Sequence, residues 1–211
     1  YGYSRKKVLL IHGWCGRSTQ LYAFADKLLE NGYMVISFDG PAHGRSSGKT
    51  TMMPEFLETI KKINTTYGPF EAAIGHSFGA TSLYIAVSEF LTIKSLIAIG
   101  SGDKISDIIL NFSKNLNLKK KSAQLIQSRL ENKWKIKVDD SSSSTVAKKI
   151  NIPVLVIHDK SDGDVPVNCA YEIRKNLKRG SLLITNGLGH TKILRNEEVI
   201  KKSINFIKQN T

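Results

Sequence analysis

The sequence predicts an α/β fold in which a mostly parallel sheet is doubly wound, with helices on both faces. Two observations predict it. Short runs rich in Val, Ile and Leu recur along the chain and are nearly continuous rather than alternating, as strands buried on both faces require. Between them lie segments whose apolar residues share one helical face, so strand and helix alternate and right-handed crossovers follow.

The strand candidates are residues 8–11, 33–38, 71–75, 95–99, 154–157 and 181–185. Leu21, Phe24, Ala25, Leu28 and Leu29 form the first helical stripe, and Gly32 follows as a stop signal. Pro54 suits a first helical turn, with Phe56, Leu57, Ile60 and Ile63 as the stripe behind it. A third helix is expected directly after Ser77. Ile173 and Leu177 mark one after Asn168, and Ile200, Ile204 and Ile207 mark the last.

One segment breaks the rhythm. Roughly fifty residues separate Gly100 from Val154, far more than an ordinary connection. Helical patches at 105–118 and 122–134 are followed by Ser141, Ser142, Ser143 and Ser144, read as a polar linker that N-caps a helix over 145–149. The chain is therefore expected to be one domain, 1–211, with a small helical cap inserted at about 103–149.

Composition narrows the function. The chain has 211 residues, with 41% hydrophobic and 23% charged, which is globular usage. The longest apolar runs are far too short to span a bilayer, so no integral membrane segment is expected. The net charge is +13, carried by 24 Lys against 7 Arg. Nucleic-acid grooves show clustered Arg with stacking aromatics, and neither is present, so the lysines read as a general compositional bias and no nucleic-acid partner is expected. The cap region, 103–149, is itself basic, with eleven Lys/Arg and five Asp/Glu. Cys15 and Cys169 give no disulfide framework; both are read as free thiols, which suits a reducing, cytoplasmic setting. A monomer or weak dimer is expected.

Four clusters carry chemistry, each at the end of an expected strand. Gly75-His76-Ser77-Phe78-Gly79 fits G-x-S-x-G where a strand hands over to a helix. A serine on so tight a turn has a strained backbone and an exposed hydroxyl, and the flanking glycines make room for it. His12-Gly13-Trp14-Cys15-Gly16 follows the first strand, and the backbone N–H groups of Trp14 and Phe78 are candidates for an oxyanion hole. Asp159, Asp162 and Asp164 follow the fifth strand, too few ligands for a cation site. Gly187-Leu188-Gly189-His190 follows the sixth, and a carboxylate-held imidazole is the usual activator of a serine hydroxyl. Ser77, an aspartate and His190 thus stand in the order of an α/β-hydrolase triad.

In these residues the sequence resembles the α/β-hydrolase superfamily, of the carboxylesterase and lipase type, along nearly its whole length. HG-x-x-G matches at His12 to Gly16, and D-x-P-x-H-G-x-S at Asp39 to Ser46. The nucleophile elbow matches at Gly75 to Gly79, D-x-x-V-P at Asp162 to Pro166, and G-x-G-H at Gly187 to His190. The resemblance implies Ser77 as nucleophile, Asp162 as acid and His190 as base. It implies hydrolysis of a small ester or thioester with no metal or cofactor. Amide or carbon–carbon bond hydrolysis, or ligand binding without catalysis, are the alternatives on this fold. His12 and His43 are expected to shape loops, His76 to point into the scaffold, and His158 to be a core or rim residue. The sequence departs from the family in having Asp159 where glycine is common, and in having little chain before Val8.

Overall fold

A computed structural model describes residues 1–211, the Asn115 side chain excepted. Six strands form a single sheet: β1 (Lys7–Ile11), β2 (Met34–Ser37), β3 (Ala72–His76), β4 (Ser95–Ile99), β5 (Val154–Asp159) and β6 (Gly180–Thr185). Their order is β2-β1-β3-β4-β5-β6, and every neighbouring pair is parallel. The expected strands are all present, each shifted by no more than two residues at an end. The apolar runs stay continuous because both faces are covered.

Successive strand residues feed two cores. Leu9, Ile11, Ala73, Leu96, Ala98, Val154 and Val156 face one side. There they meet α2 (Met53–Tyr67), α3 (Phe78–Glu89), α6 (Ser143–Ala147) and α7 (Asn168–Asn176). Val8, Leu10, Ala72, Ile74, Ile97, Ile99, Leu155 and Ile157 face the other, against α1 (Tyr22–Glu30) and α9 (Glu197–Asn210). Phe24 and Leu28 of the first expected stripe and Phe56 and Ile60 of the second are fully buried, so each amphipathic face found its side of the sheet. The Asn196 side chain accepts from the Val199 N–H and caps α9.

The strand order reverses at β1, which pairs with β2 on one side and β3 on the other. Open parallel sheets bind ligands at such a switch point, beyond the carboxyl ends of the strands. The register sets Ile11 beside Gly75 and His76 beside Ile99. The loops after β1, β3 and β4 therefore leave the sheet at one edge.

The insertion contains α4 (Ile105–Asn115) and α5 (Lys120–Trp134), which pack against each other. Ile108 lies over the end of β4; a Cβ on Gly102 would come within 2.8 Å of its Cδ1. The serine run differs from expectation. The helix after it begins at Ser143 rather than 145, and the Ser142 hydroxyl does not cap it. Asp103 does so instead, its carboxylate accepting from the Ser144 N–H at 2.8 Å. Ser142 and Ser143 are buried, and the Ser143 hydroxyl donates to the Gly102 carbonyl at 2.7 Å. A serine run reads as solvated linker by composition, but here its hydroxyls satisfy backbone groups at the base of the insertion, and α6 packs on α3 and α7. Among the described residues no helix is long and apolar enough to cross a membrane.

Leu10 is 1% exposed at the centre of the second core. Leu10→Ala is expected to cost about 2–5 kcal/mol of stability, from lost burial plus the cavity left behind. Thermal unfolding checks it, with a fall in Tm of roughly 2–4 °C per kcal/mol at this chain length.

Candidate active site

The turn between β3 and α3 holds Ser77 at φ 52° and ψ −118°, outside the regions L-residues ordinarily occupy. Close packing enforces this. The Ser77 N–H donates to the Ile99 carbonyl at 2.8 Å. A Cβ on Gly75 would stand 2.7 Å from the Ala80 backbone, and one on Gly79 2.5 Å from the carbonyls of Ile11 and His12. Both glycines are thus required by the approach of α3 to β3 and β1.

The loop after β1 crosses in front of this turn. Gly13 lies against His76 and Ser77; a Cβ there would be 3.0 Å from each. Among the described residues neither the Trp14 nor the Phe78 backbone N–H has a hydrogen-bond partner. The two side chains meet edge to face, with ring centroids 4.9 Å apart, and Trp14 stays 46% exposed. His12 and His43 hold the loop, as expected. His12 Nδ1 donates to the Gly13 carbonyl at 2.7 Å while its Nε2 accepts from the Gly40 N–H at 2.8 Å. His43 Nδ1 donates to the Pro41 carbonyl and its Nε2 accepts from the Cys15 N–H. Each imidazole bridges two backbone segments with a defined tautomer. Burial lowers the His12 pKa further, which keeps that bridge neutral.

The structure brings Asp162 and His190 together. His190 Nδ1 lies 2.7 Å from Asp162 Oδ2. A carboxylate only accepts, so Nδ1 carries a hydrogen, and in the neutral ring Nε2 is the acceptor. The Asp162 side chain is 2% exposed, and its Oδ1 accepts from the N–H groups of Asp164 and Val165. Burial alone would raise its pKa. The close His158 Nε2–H and the hydrogen bonds from His190 and Val165 outweigh that and hold it well below the ordinary carboxylate range.

The other two acids differ in place: Asp164 stays near the pair and Asp159 turns to the loop beside it. Asp164 is exposed. Asp159 is fully buried, accepting from the Ser161 N–H, the Thr185 hydroxyl and the Leu188 N–H. It caps the turn that carries His190, and among the described residues it has no hydrogen bond to the ring. Carboxylate oxygens of Asp162 and Asp164 and a ring nitrogen of His190 lie within 4.8 Å of one another, a spacing that could hold a metal. Asp162 already spends both oxygens on the hydrogen bonds above, so the cluster is a hydrogen-bonded pair rather than an open ligand set.

Two features of the site escaped sequence reasoning. Gly100 has φ 60°, and a Cβ there would stand 3.2 Å from His190 Cε1 and 3.6 Å from Asp162 Oδ2. It is the floor under the pair, and its place directly after β4 was the available signal. The second is the His76 ring, which lies beside that of His190 with centroids 4.6 Å apart. His190 therefore stands against the residue preceding Ser77 and against Gly100, which follows the Ile99 carbonyl that Ser77 bonds.

The sequence profile of the alpha/beta hydrolase fold matches residues 6–132, and the chain belongs to that family. A profile described as TAP-like protein matches residues 122–209. No curated protein matches the sequence. Among solved structures, the chain is similar to an esterase, EaEST, from Exiguobacterium antarcticum, with 18% identity over 97% of this chain and 92% of that one, TM-score 0.76. It is similar to a bromoperoxidase from Bacillus anthracis, with 17% identity over 100% and 94%, TM-score 0.74. It is also similar to Est1E from Butyrivibrio proteoclasticus, solved with ferulic acid bound, with 22% identity over 97% and 90%, TM-score 0.72. At these identities the likeness is one of fold.

Asp39 anchors the loop after β2. The N–H groups of Ser18 and Arg45 bond its carboxylate and hold its pKa down at about 2. A pKa depressed on folding adds stability above the unfolded value, near 4, and that stability is lost as pH falls through 2. Asp39→Asn is thus expected to lower Tm at pH 7 and to flatten the fall in Tm between pH 4 and 2. An unchanged acid limb in the variant would contradict this.

Proposed function

We propose that the chain is a serine hydrolase that cleaves a carboxylic ester or thioester through an acyl-serine intermediate. The observation that carries this reading is the Asp162–His190 hydrogen bond, 2.7 Å long, whose imidazole stands against His76, the residue preceding a serine held in a strained strand-to-helix turn. Ser77 is the nucleophile, His190 the general base and Asp162 the acid. The Nδ1–H bond to Asp162 leaves His190 Nε2 free to take the Ser77 proton and stabilises the imidazolium that forms.

The Ser77 oxygen attacks the substrate carbonyl carbon as its proton passes to His190 Nε2. The oxyanion receives hydrogen bonds from the N–H groups of Trp14 and Phe78, which have no competing partner. The carbon–oxygen or carbon–sulfur bond to the leaving group breaks, and the His190 proton goes to that group. Water then attacks the acyl-serine with His190 again as base, and the carboxylic acid is released. The α4–α5 hairpin serves as a cap, with Ile108 at the edge of the entrance and Trp14 opposite the elbow as apolar contact for the substrate. Both are partly exposed, which suits a small substrate with an apolar acyl or alkyl part.

A fluorophosphonate probe is expected to label the protein once, at Ser77, and Ser77→Ala is expected to lower kcat at least roughly 10³-fold with the fold intact. Labelling that survives in Ser77→Ala would remove the assignment. Asp162→Asn keeps the shape but favours the wrong tautomer, so kcat should drop about 10⁴-fold, against less than about tenfold for Asp164→Asn. Turnover of p-nitrophenyl esters distinguishes them; a crippled Asp164→Asn beside an active Asp162→Asn would overturn the choice of acid.

A further inference from the structure

We propose that His76 and His158, two buried histidines outside the Ser77–Asp162–His190 set, are positioning residues that hold the base and the acid from opposite ends. The inference rests on the proposed roles of those three residues.

Both imidazoles are costly where they stand. His76 is 1% exposed and His158 is fully buried. Among the described residues, Nδ1 of each is buried with no hydrogen-bond partner. An unsatisfied buried acceptor is destabilising, so an apolar side chain would serve packing better at either position. What each ring offers in return is its Nε2–H, and both of these bonds end on the Asp162–His190 pair or on the loop that holds it.

His76 Nε2 lies 2.9 Å from the His190 carbonyl oxygen, 114 residues away in the chain. A carbonyl only accepts, so His76 carries its hydrogen on Nε2. The bond ties the loop bearing the base to the residue preceding the nucleophile. The ring is wedged between Gly13 and His190. Burial, reinforced by the neighbouring His190 ring, pushes the His76 pKa down to about 3. It therefore stays neutral when His190 takes the serine proton, and no second cation opposes that step.

His158, on β5, acts on the other partner. Its Nε2 donates to the Val165 carbonyl at 2.9 Å and lies 3.4 Å from Asp162 Oδ2, the same oxygen that accepts from His190. The Val165 N–H in turn donates to Asp162 Oδ1 at 2.8 Å. His158, Val165 and Asp162 thus close a ring that fixes the rotation of the carboxylate. Without the His158 donor, the Val165 end of the loop is released and Oδ2 is no longer locked toward His190.

Misplacing a reacting group by about 1 Å can cost roughly 10²-fold in rate. His76→Leu and His158→Leu are therefore each expected to lower kcat on a p-nitrophenyl ester by roughly 10–100-fold, with KM changed less than about threefold. Phosphonylation of Ser77 by the fluorophosphonate should slow in parallel. His76→Gln and His158→Gln place an amide N–H near the lost Nε2–H and are expected to recover most of the rate. Should a Leu variant not fold, Asn at the same position takes its place, since its shorter amide does not reach the acceptor; it should lose rate as Leu does. Leu or Asn variants with wild-type kcat, or Gln variants no faster than them, would overturn the proposal. A fall in Tm with kcat intact would equally make the histidines packing residues only. A wild-type protein that the probe does not label at Ser77 would instead overturn the underlying reading.

Discussion

The backbone of Ser77 is the constraint around which the molecule is arranged. A non-glycine residue at φ 52° and ψ −118° costs on the order of 1–3 kcal/mol, and it persists only where its surroundings over-determine it. Here they do. β3 is fully buried, the first turns of α3 are fully buried from Gly79 to Ala86, and two glycines let the helix close onto the sheet. The Ile99 carbonyl fixes the amide of the turn from the neighbouring strand. The sheet supplies the rigidity, and the loops after β1, β4, β5 and β6 bring Trp14, Gly100, Asp162 and His190 toward one edge.

Charge is handled around that edge by burial and counted hydrogen bonds. Asp162 stays ionised at 2% exposure because its oxygens accept from two backbone N–H groups and His190, with His158 close by. His12 and His76 are pushed toward neutrality by burial. A fixed anion beside neutral rings is the setting in which His190, as the proposed general base, would work. Asp159 contributes differently, holding the His190 turn through the Leu188 N–H.

The fold was legible because its strands are unbroken apolar runs and its helices carry clear stripes, with Gly32 and Pro54 marking boundaries. The elbow was legible because Gly75 and Gly79 stand where only glycine fits. The burial of Asp159 and of the Ser142–Ser143 pair was hidden, since composition makes both look solvated and only tertiary packing reveals the backbone groups they satisfy. The direction of His76 and the approach of His158 to Asp162 were hidden for a related reason. Both depend on where the 159–165 and 187–190 loops return in space, which no local spacing encodes. Gly100 belongs with them: its φ of 60° and its contact with His190 join residues 90 positions apart.

The proposed reaction passes through a covalent acyl group on Ser77. Rapid mixing with an activated ester, an acid quench and intact-mass measurement test it most directly. The expected result is a burst of leaving group before steady state and a mass increase equal to one acyl group, mapped to the peptide containing Ser77 and absent in Ser77→Ala. Efficient turnover with no burst and no adduct, in wild-type protein quenched at early times and across fast and slow esters, would contradict it.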